Sequence, residues 1–330
     1  MRVLVDAMGG DNAPQAIVEG CLQALEVNKD FSITLIGERR KIEDQLIDKD
    51  YDKERLTIKH ASEVITNNEV PTKAIKKKTD SSMVVGFNML KNREGDVFVS
   101  AGSSGALLAG SVFILRRIRG ISRPALGSII PTKRGRIILL DSGLNSVIRP
   151  QNYLQFAYLG AAYMKSMFGV EDPRVGLVNV GTEEEKGTEA VKEANTLLRQ
   201  STLNYIGFIE GKDVFEGIAD VVVTDGFTGN VMLKLIEGTA TYFFREVKGV
   251  LLRNWKSRIG AAFLKKGFED FKKSMDPDVN GGAPILGVDG LVIKSHGSSN
   301  ARTIKHVILK AVTLAESDFI SDIKKEIKNM

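Results

Sequence analysis

Six turns in this sequence combine glycine with small, polar or charged residues; each follows a short apolar run and leads into a helical pattern. Glycine in such a turn lets the backbone approach a ligand closely, and the following helix offers unpaired N–H groups. Because ligands of open parallel α/β sheets sit outside the carboxyl ends of the strands, these turns could converge on one anion. The six segments are Val3–Asp11, Val97–Gly105, Ile137–Asn145, Val175–Gly187, Val221–Asn230 and Leu291–Ser299.

Three side chains in these turns have the chemistry of a catalytic group. Lys186 lies between a predicted strand and a predicted helix, where its ammonium could pair with an oxyanion. The alternative is a solvated charge run, since three glutamates stand directly before it. Asn230 offers an uncharged amide donor at a helix start. Of the three histidines only His296 lies in a glycine turn, so it is the candidate for moving a proton.

Other polar and glycine positions in the same turns are candidates for binding the anion. Two carboxylates flank a diglycine in the first turn, although Asp11 has the alternative role of capping the helix that begins at Pro14. The predicted binding set is Asp6, Gly9, Gly10, Asp11, Ser100, Gly102, Ser103, Gly105, Asn145, Gly181, Thr182, Gly226, Thr228, Gly229, Gly297 and Ser298.

Several common types of site lack their sequence pattern here. Neither Gly9-Gly10 nor Gly102–Gly105 has the spacing of a dinucleotide fingerprint, and Gly181–Gly187 lacks the phosphate loop of nucleotide triphosphatases. The sequence has no cysteine and histidine cluster for a metal and no serine hydrolase elbow. Its basic residues are not interleaved with aromatic ones in a strand pattern, which argues against nucleic-acid binding. We therefore expect no metal and no cofactor.

The composition is that of a globular protein without a membrane span. The chain has 330 residues, 43% of them hydrophobic and 26% charged, and a net charge of +5. The charge indicates a basic surface, or else an acidic protein, anionic lipid or nucleic acid as partner. The apolar stretch Gly105–Leu115 is shorter than the roughly 20 residues that a spanning helix needs. A first strand at Arg2 predicts no signal peptide, and the single cysteine, Cys21, fits a core position in a cytoplasmic protein.

Strand and helix patterns alternate along most of the chain, which predicts one three-layer α/β/α domain over residues 1–330 with a mainly parallel sheet. The predicted strands are Arg2–Asp6, Ser32–Ile36, Leu56–His60, Asp96–Val99, Ala125–Ile130, Arg136–Leu140, Arg174–Asn179, Asn204–Ile209, Asp220–Thr224 and Gly290–Lys294. The predicted helices are Pro14–Leu25, Arg39–Ile47, Pro71–Lys78, Ser82–Asn92, Gln151–Met167, Thr188–Gln200, Asn230–Leu252 and Asn300–Lys324.

Two segments suggest interaction surfaces. A helical excursion over Thr239–Asp276 contains no strand pattern, and bulky apolar residues recur at helical spacing among basic residues within Trp255–Phe271. Such a helix could lie in a membrane interface, or it could cover a core or a dimer interface. The lysine-rich segment Pro71–Met83 is a solvated face, or it belongs to the surface for an anionic partner or to the rim of the anion pocket.

Taken in order, the motifs resemble those of the bacterial phosphate acyltransferases of phospholipid synthesis, the PlsX family. Two turns depart from the family pattern: Ser103-Ser104 replaces an Asn-Thr pair, and Asp141–Asn145 reads DSGLN instead of DVGAN. The resemblance spans nearly the whole chain and rests on DAMGGD at Asp6–Asp11, SSM at Ser81–Met83, SAGxxGA at Ser100–Ala106, NVGTExxKG at Asn179–Gly187, VVTDGFTGN at Val222–Asn230, GGAPILG at Gly281–Gly287 and HGSS at His296–Ser299.

This resemblance implies transfer of a long-chain acyl group from acyl carrier protein to inorganic phosphate, giving an acyl-phosphate. It implies a fold similar to isocitrate and isopropylmalate dehydrogenases and to phosphotransacetylases, without a cofactor. It further implies a cytoplasmic homodimer that associates with the inner face of the membrane, and a glycerol-phosphate acyltransferase that receives the product. The alternatives are a phosphotransacetylase-like enzyme that uses acyl-coenzyme A, a dehydrogenase on the related fold, and a non-catalytic scaffold recruited to the membrane.

Overall fold

The computed structural model describes residues 1–274, 282–317 and 319–328. The strands in these residues are β1 Arg2–Asp6, β2 Ser32–Gly37, β3 Leu56–His60, β4 Val97–Ser100, β5 Ala125–Leu126, β6 Ser128–Thr132, β7 Gly135–Leu140, β8 Val175–Val178, β9 Tyr205–Ile209, β10 Val221–Val223, β11 Ala283–Leu286 and β12 Leu291–Lys294. The α-helices are Gln15–Val27, Arg39–Leu46, Pro71–Lys77, Ser82–Lys91, Ser104–Gly110, Pro150–Phe168, Glu189–Arg199, Gly226–Leu252, Trp255–Ser274, Ala301–Glu316 and Phe319–Lys328.

The strands form two sheets. The first sheet has the order β3-β2-β1-β4-β12-β11-β5; β11 is antiparallel to both of its neighbours and the other pairs are parallel. The second has the order β6-β7-β10-β8-β9, and β6 is antiparallel to β7. The carboxyl ends of β1, β4 and β12 are neighbours in the first sheet, and those of β7, β10 and β8 are neighbours in the second.

Strand alternation explains how each sheet is covered on both faces. Val3 and Val5 of β1 belong to the cluster that includes the helices Gln15–Val27 and Ala301–Glu316, whereas Leu4 belongs to the cluster with helix Ser82–Lys91. The second sheet buries one face against helix Pro150–Phe168, and the start of helix Gly226–Leu252 packs on the other. This is the predicted three-layer, mainly parallel arrangement. None of the described helices has the length and hydropathy to cross a membrane.

Most predicted elements are confirmed, but a few are wrong. The predicted strand Ala125–Ile130 divides at Gly127 into strands of different sheets, and the predicted helix Asn300–Lys324 ends at Glu316 and restarts at Phe319. Strand β11 and helix Ser104–Gly110 were not predicted. The excursion Thr239–Asp276 is helical apart from a short break after Leu252; its residues 275–276 lie outside the described part, as does Gly281 of the GGAPILG motif.

Close packing of the first sheet against helix Ser82–Lys91 gives a stability prediction. A Cβ at Gly86 would overlap the ring of Phe98, which is fully buried and packs on Phe87 with ring centroids 5.1 Å apart. Gly86→Ala should therefore lower the free energy of unfolding by about 1–3 kcal/mol, measured by urea denaturation. Gly238→Ala is the control, because a Cβ there meets open space in a helix interior and should not destabilise. Equal stability of both variants would contradict this packing.

Candidate active site

The first site element is a buried hydrogen bond between the ends of β1 and β4. The Ser100 hydroxyl donates to Asp6 Oδ2 at 2.7 Å, and the same hydroxyl oxygen accepts from the Gly102 N–H at 3.0 Å. Asp6 Oδ1 accepts from the Met8 N–H at 3.1 Å. Burial raises the pKa of the Asp6 carboxyl, while hydrogen bonds, Ser82 and Ser100 among them, oppose the rise. Asp6 and Ser100 therefore fasten two glycine turns to each other.

Glycine is required where these turns meet. A Cβ at Gly9 would lie 2.6 Å from Asp6 Oδ2 and 2.7 Å from the Gly102 nitrogen. Gly10 has φ +105°, a conformation that favours glycine. The next residue joins the third turn, because the Asp11 N–H donates to the Gly297 carbonyl at 2.8 Å. The structure thus brings together the predicted turns after β1, β4 and β12.

His296 lies at the rim of this group of turns. Its side chain is exposed, and Nδ1 lies 2.8 Å from the Ser298 hydroxyl. Burial lowers the pKa of the imidazole, and the positive charges of Lys234 and Lys294 lower it further. Glu237 and Asp11 act in the opposite direction. The imidazole is therefore uncharged at neutral pH, ready to accept a proton.

A second buried carboxylate organises the turn after β7. Asp141 accepts hydrogen bonds from the Leu126 N–H at 3.0 Å, the Asn145 N–H at 2.7 Å and the Asn145 amide at 2.8 Å. Burial raises the pKa of Asp141 against these bonds. The Asn145 amide also donates to the Pro124 carbonyl at 2.7 Å, and its oxygen accepts from the Arg123 guanidinium at 3.5 Å, so all three bonds of the amide hold the protein together. The Gly226 N–H donates to the Asn145 carbonyl at 2.7 Å, which places the start of the long helix against this turn.

The first turn of helix Gly226–Leu252 is capped by Asp225, so the helix begins four residues before its predicted start. Asp225 Oδ1 accepts from the N–H groups of Phe227 and Thr228, and Oδ2 accepts from the Thr228 hydroxyl at 2.8 Å. Thr228 therefore uses its hydroxyl for capping. Asn230 is exposed, with no amide partner among the described residues, and lies beside Gly143. Its amide is free to meet a ligand.

The Lys186 ammonium is bound within its own turn. Its side chain is half exposed, and its ammonium pairs with Glu183 at 2.7 Å. The turn is held by the Asn179 amide, which donates to the Lys186 carbonyl at 3.0 Å. Among the described residues, no hydrogen bond or ion pair links Lys186 to the turns at Asp6, Ser100 or His296. Gly181 and Thr182 share this separate turn.

Sequence reasoning missed two lysines that act on His296. Lys294 ends β12 and stands two residues before His296, so the strand pattern could have indicated it. Lys234 lies two turns into helix Gly226–Leu252, and nothing in the sequence indicated that this helix passes over the His296 turn. No group of three or more acidic, histidine or cysteine residues in the described part is arranged to hold a metal ion.

Comparisons with known proteins identify the family. A family model described as fatty acid synthesis protein matches residues 1–322. Over its full length the chain is 56% identical to the phosphate acyltransferase of Acetivibrio thermocellus, covering 97% of that protein. This chain belongs to the phosphate acyltransferase family. The corresponding protein of Caldanaerobacter subterraneus is 48% identical over 99% of the chain and 98% of its own length. The predicted family resemblance is confirmed.

Solved structures with little sequence identity share the fold. A phosphotransacetylase from Streptococcus pyogenes matches with a TM-score of 0.62 at 16% identity, over 96% of this chain and 94% of that one. The EutD phosphotransacetylase from Staphylococcus aureus matches with a TM-score of 0.60 at 15% identity, with the same coverage. At this identity the likeness concerns the fold alone, and it confirms the predicted phosphotransacetylase-like architecture.

The charges around His296 predict its titration. We expect NMR of the imidazole C–H signals, assigned with His296→Gln, to give a midpoint below the ordinary value of 6.5. Lys234→Met should raise that midpoint, because it removes a positive charge and frees Glu237. Lys192→Met, on the remote helix Glu189–Arg199, should leave it unchanged. A midpoint at or above 6.5 in the unmodified protein would rule out the described environment.

Proposed function

We propose that this chain transfers a long-chain fatty acyl group from acyl carrier protein to inorganic phosphate, giving acyl-phosphate for phosphatidic acid and phospholipid synthesis. The observation that carries this proposal is full-length membership of the phosphate acyltransferase family, at 56% identity to a relative of that name. Acyl transfer to phosphate makes the protein an acyltransferase. The fold and the grouped turns at the carboxyl edges of the sheets are suited to an anionic substrate.

The reaction needs positioning and one proton transfer. Hydrogenphosphate attacks the thioester carbonyl, the new C–O bond forms, and the C–S bond breaks to release the carrier thiol. The proton lost by phosphate is the one that the leaving thiolate, with a pKa of about 8.5, takes up. A neutral His296 is in the right state to accept that proton and pass it on. Atoms and charge balance without a covalent enzyme intermediate.

The tetrahedral intermediate needs donors for its oxyanion. We assign this role to the Asn230 amide, which is exposed at the start of the long helix, together with backbone N–H groups of the glycine turns. The phosphate site would be lined by Gly102, Ser103, Gly105, Gly297 and Ser298. The turns would be held in place by Asp6, Ser100 and Asn145. Lys186 would act from the rim, where an incoming anion replaces Glu183.

The basic helix Pro71–Lys77 offers a docking site for the acidic carrier protein. Lys73, Lys76 and Lys77 are exposed, whereas Lys78 pairs with Glu69 at 2.9 Å. The helix adjoins the site, because a Cβ at Gly105 would lie 2.7 Å from Pro71 Cγ. Charge complementarity of this kind raises the association rate and weakens with salt.

Helices Gly226–Leu252 and Trp255–Ser274 expose many large apolar side chains, including Leu235 and Phe243 on the first and Trp255 and Phe263 on the second. We propose that they form a homodimer interface and that the Trp255–Phe271 region contacts anionic membrane peripherally. This would place the protein in the cytoplasm, at the inner face of the membrane, where a glycerol-phosphate acyltransferase takes up the acyl-phosphate.

The decisive experiment traps the product. Purified protein is mixed with inorganic phosphate and long-chain acyl carrier protein, and acyl-phosphate is captured as hydroxamate; a parallel reaction contains acyl-coenzyme A. We expect phosphate-dependent hydroxamate with the carrier protein. Product only with acyl-coenzyme A would favour the phosphotransacetylase-like alternative, and folded protein without product from either donor would favour the scaffold.

Removal of the oxyanion donor should slow turnover. We expect Asn230→Ala to lower kcat by about 10²–10³, the usual cost of losing one such donor. The matched control is Asn92→Ala, an exposed amide at the end of helix Ser82–Lys91, which should keep kcat. Near-normal turnover of Asn230→Ala would remove Asn230 from the mechanism.

The role of Lys186 is tested in the same assay. We expect Lys186→Ala to reduce kcat/KM by about tenfold, because one charge-assisted contact to the anion is lost. Glu183→Gln should not reduce it, since it frees the Lys186 ammonium from its present partner. If Lys186→Ala turns over at the unmodified rate, Lys186 has no part in the site.

A further inference from the structure

Lys294 lies at the carboxyl edge of the first sheet, in line with the site residues Ser100 and Asp6. It pairs in register with Ser100 of β4, and the next strand along, β1, ends with Asp6. Alternation places Leu4, Phe98 and Val292 in one cluster on one face of the sheet. The residues two positions on, Asp6, Ser100 and Lys294, therefore share that face. Lys294 belongs with the turns that hold the proposed phosphate site.

The ammonium of Lys294 has no partner in the described part of the chain. It is partly buried, yet it makes neither an ion pair nor a hydrogen bond there. Glu237, whose charge acts on it, is already bound to Lys234 at 2.6 Å. Burial lowers the pKa of Lys294, and the charge of Lys234 lowers it further. The protein thus holds an uncompensated positive group beside His296, at a cost that an anion would offset.

Two other partly buried lysines, Lys310 and Lys78, show how an ammonium can be satisfied within the protein. Lys310 donates to the Gly282 carbonyl at 2.7 Å. Lys78 donates to the Val64 carbonyl at 2.7 Å and pairs with Glu69. Each of these side chains satisfies its ammonium within the protein. The Lys294 ammonium also requires a hydrogen-bond or ion-pair partner. Its position at a strand end, within reach of charges on the long helix, points to a bound ligand as that partner.

We propose that Lys294, assisted by Lys234, binds the phosphate that accepts the acyl group. The inference rests on the proposed function. Two ammonium groups suit a doubly charged phosphate, and the charge of Lys234, on helix Gly226–Leu252, acts on both Lys294 and His296. His296 stands two residues from Lys294, so phosphate held here lies close to the proton acceptor. The phosphodiester of the carrier's prosthetic arm has related chemistry, and the experiment separates the two sources.

The test compares Lys294→Met, Lys294→Arg and the control Lys192→Met, a surface lysine paired with Glu189 on a remote helix. We expect Lys294→Met to raise the KM for inorganic phosphate at least tenfold while the KM for acyl carrier protein stays within about twofold. Lys294→Arg should restore part of the phosphate affinity, because it keeps the charge. A rise confined to the carrier's KM would assign Lys294 to the prosthetic arm and overturn the proposal, as would no change in either KM.

A second measurement does not depend on turnover. Calorimetric titration with inorganic phosphate alone should show binding to the unmodified protein and to Lys192→Met, and at least tenfold weaker binding to Lys294→Met. If the unmodified protein makes no acyl-phosphate but binds phosphate in this Lys294-dependent way, the proposed function fails, and only the phosphate site at Lys294 stands. If turnover is normal and Lys294→Met binds phosphate as tightly as the unmodified protein, the inference fails and the function stands. Far-ultraviolet circular dichroism confirms that each variant is folded.

Discussion

The hydrogen bond from Ser100 to Asp6 is the contact on which the candidate site depends. A buried carboxylate at a strand end must gather donors, because desolvation is costly without them. Asp6 takes one donor from the neighbouring strand and one from its own turn. The backbone then folds tightly around the carboxylate, and only glycine fits at position 9. Asp141 uses the same arrangement in the second sheet, with donors from Leu126 and its own turn. The charges of these two aspartates hold the turns in place and are not directed at substrate.

The difference between the enclosed aspartates and the nearby lysines determines the electrostatics of the candidate site. The carboxylates at the strand ends are enclosed by donors, whereas the positive charges of Lys234 and Lys294 act on His296. Lys234 is paired with Glu237, whereas the Lys294 ammonium has no partner among the described residues and is available to an anion. The uncharged imidazole follows from the same lysines, since each disfavours a further proton nearby. The positive charge at this edge of the sheet and the uncharged imidazole thus come from one arrangement of residues.

Much of the fold and part of the site could be predicted from local patterns. Alternation of apolar runs with glycine turns located most strands, and the shared edge of a parallel sheet brought together the turns at Asp6, Ser100 and His296. Local patterns could not show that Gly127 separates two sheets, because that depends on which strands β5 and β6 find as partners. They also could not place Lys234 near His296, since that depends on distances between side chains far apart in the sequence. The pairing of Lys186 with Glu183 is local, and the charge run had offered it as the alternative. The early start of the long helix was predictable, because Asp225 is a good N-cap.

The two apolar grooves along the long helices bear on the choice between a dimer interface and a membrane surface. A groove of about 510 Å³ near the base of the helices is lined almost wholly by apolar side chains, including Phe215, Leu235 and Phe243. None of the described residues that line it is charged, so a second copy of the same apolar surface is a suitable cover. A groove of about 710 Å³ further out combines leucines with three cations, Arg245, Lys248 and Lys265, and one acidic residue, Glu269. Apolar residues bordered by cations suit anionic lipid better than a self-complementary contact. The two interpretations that the sequence left open therefore fit different parts of one helical pair.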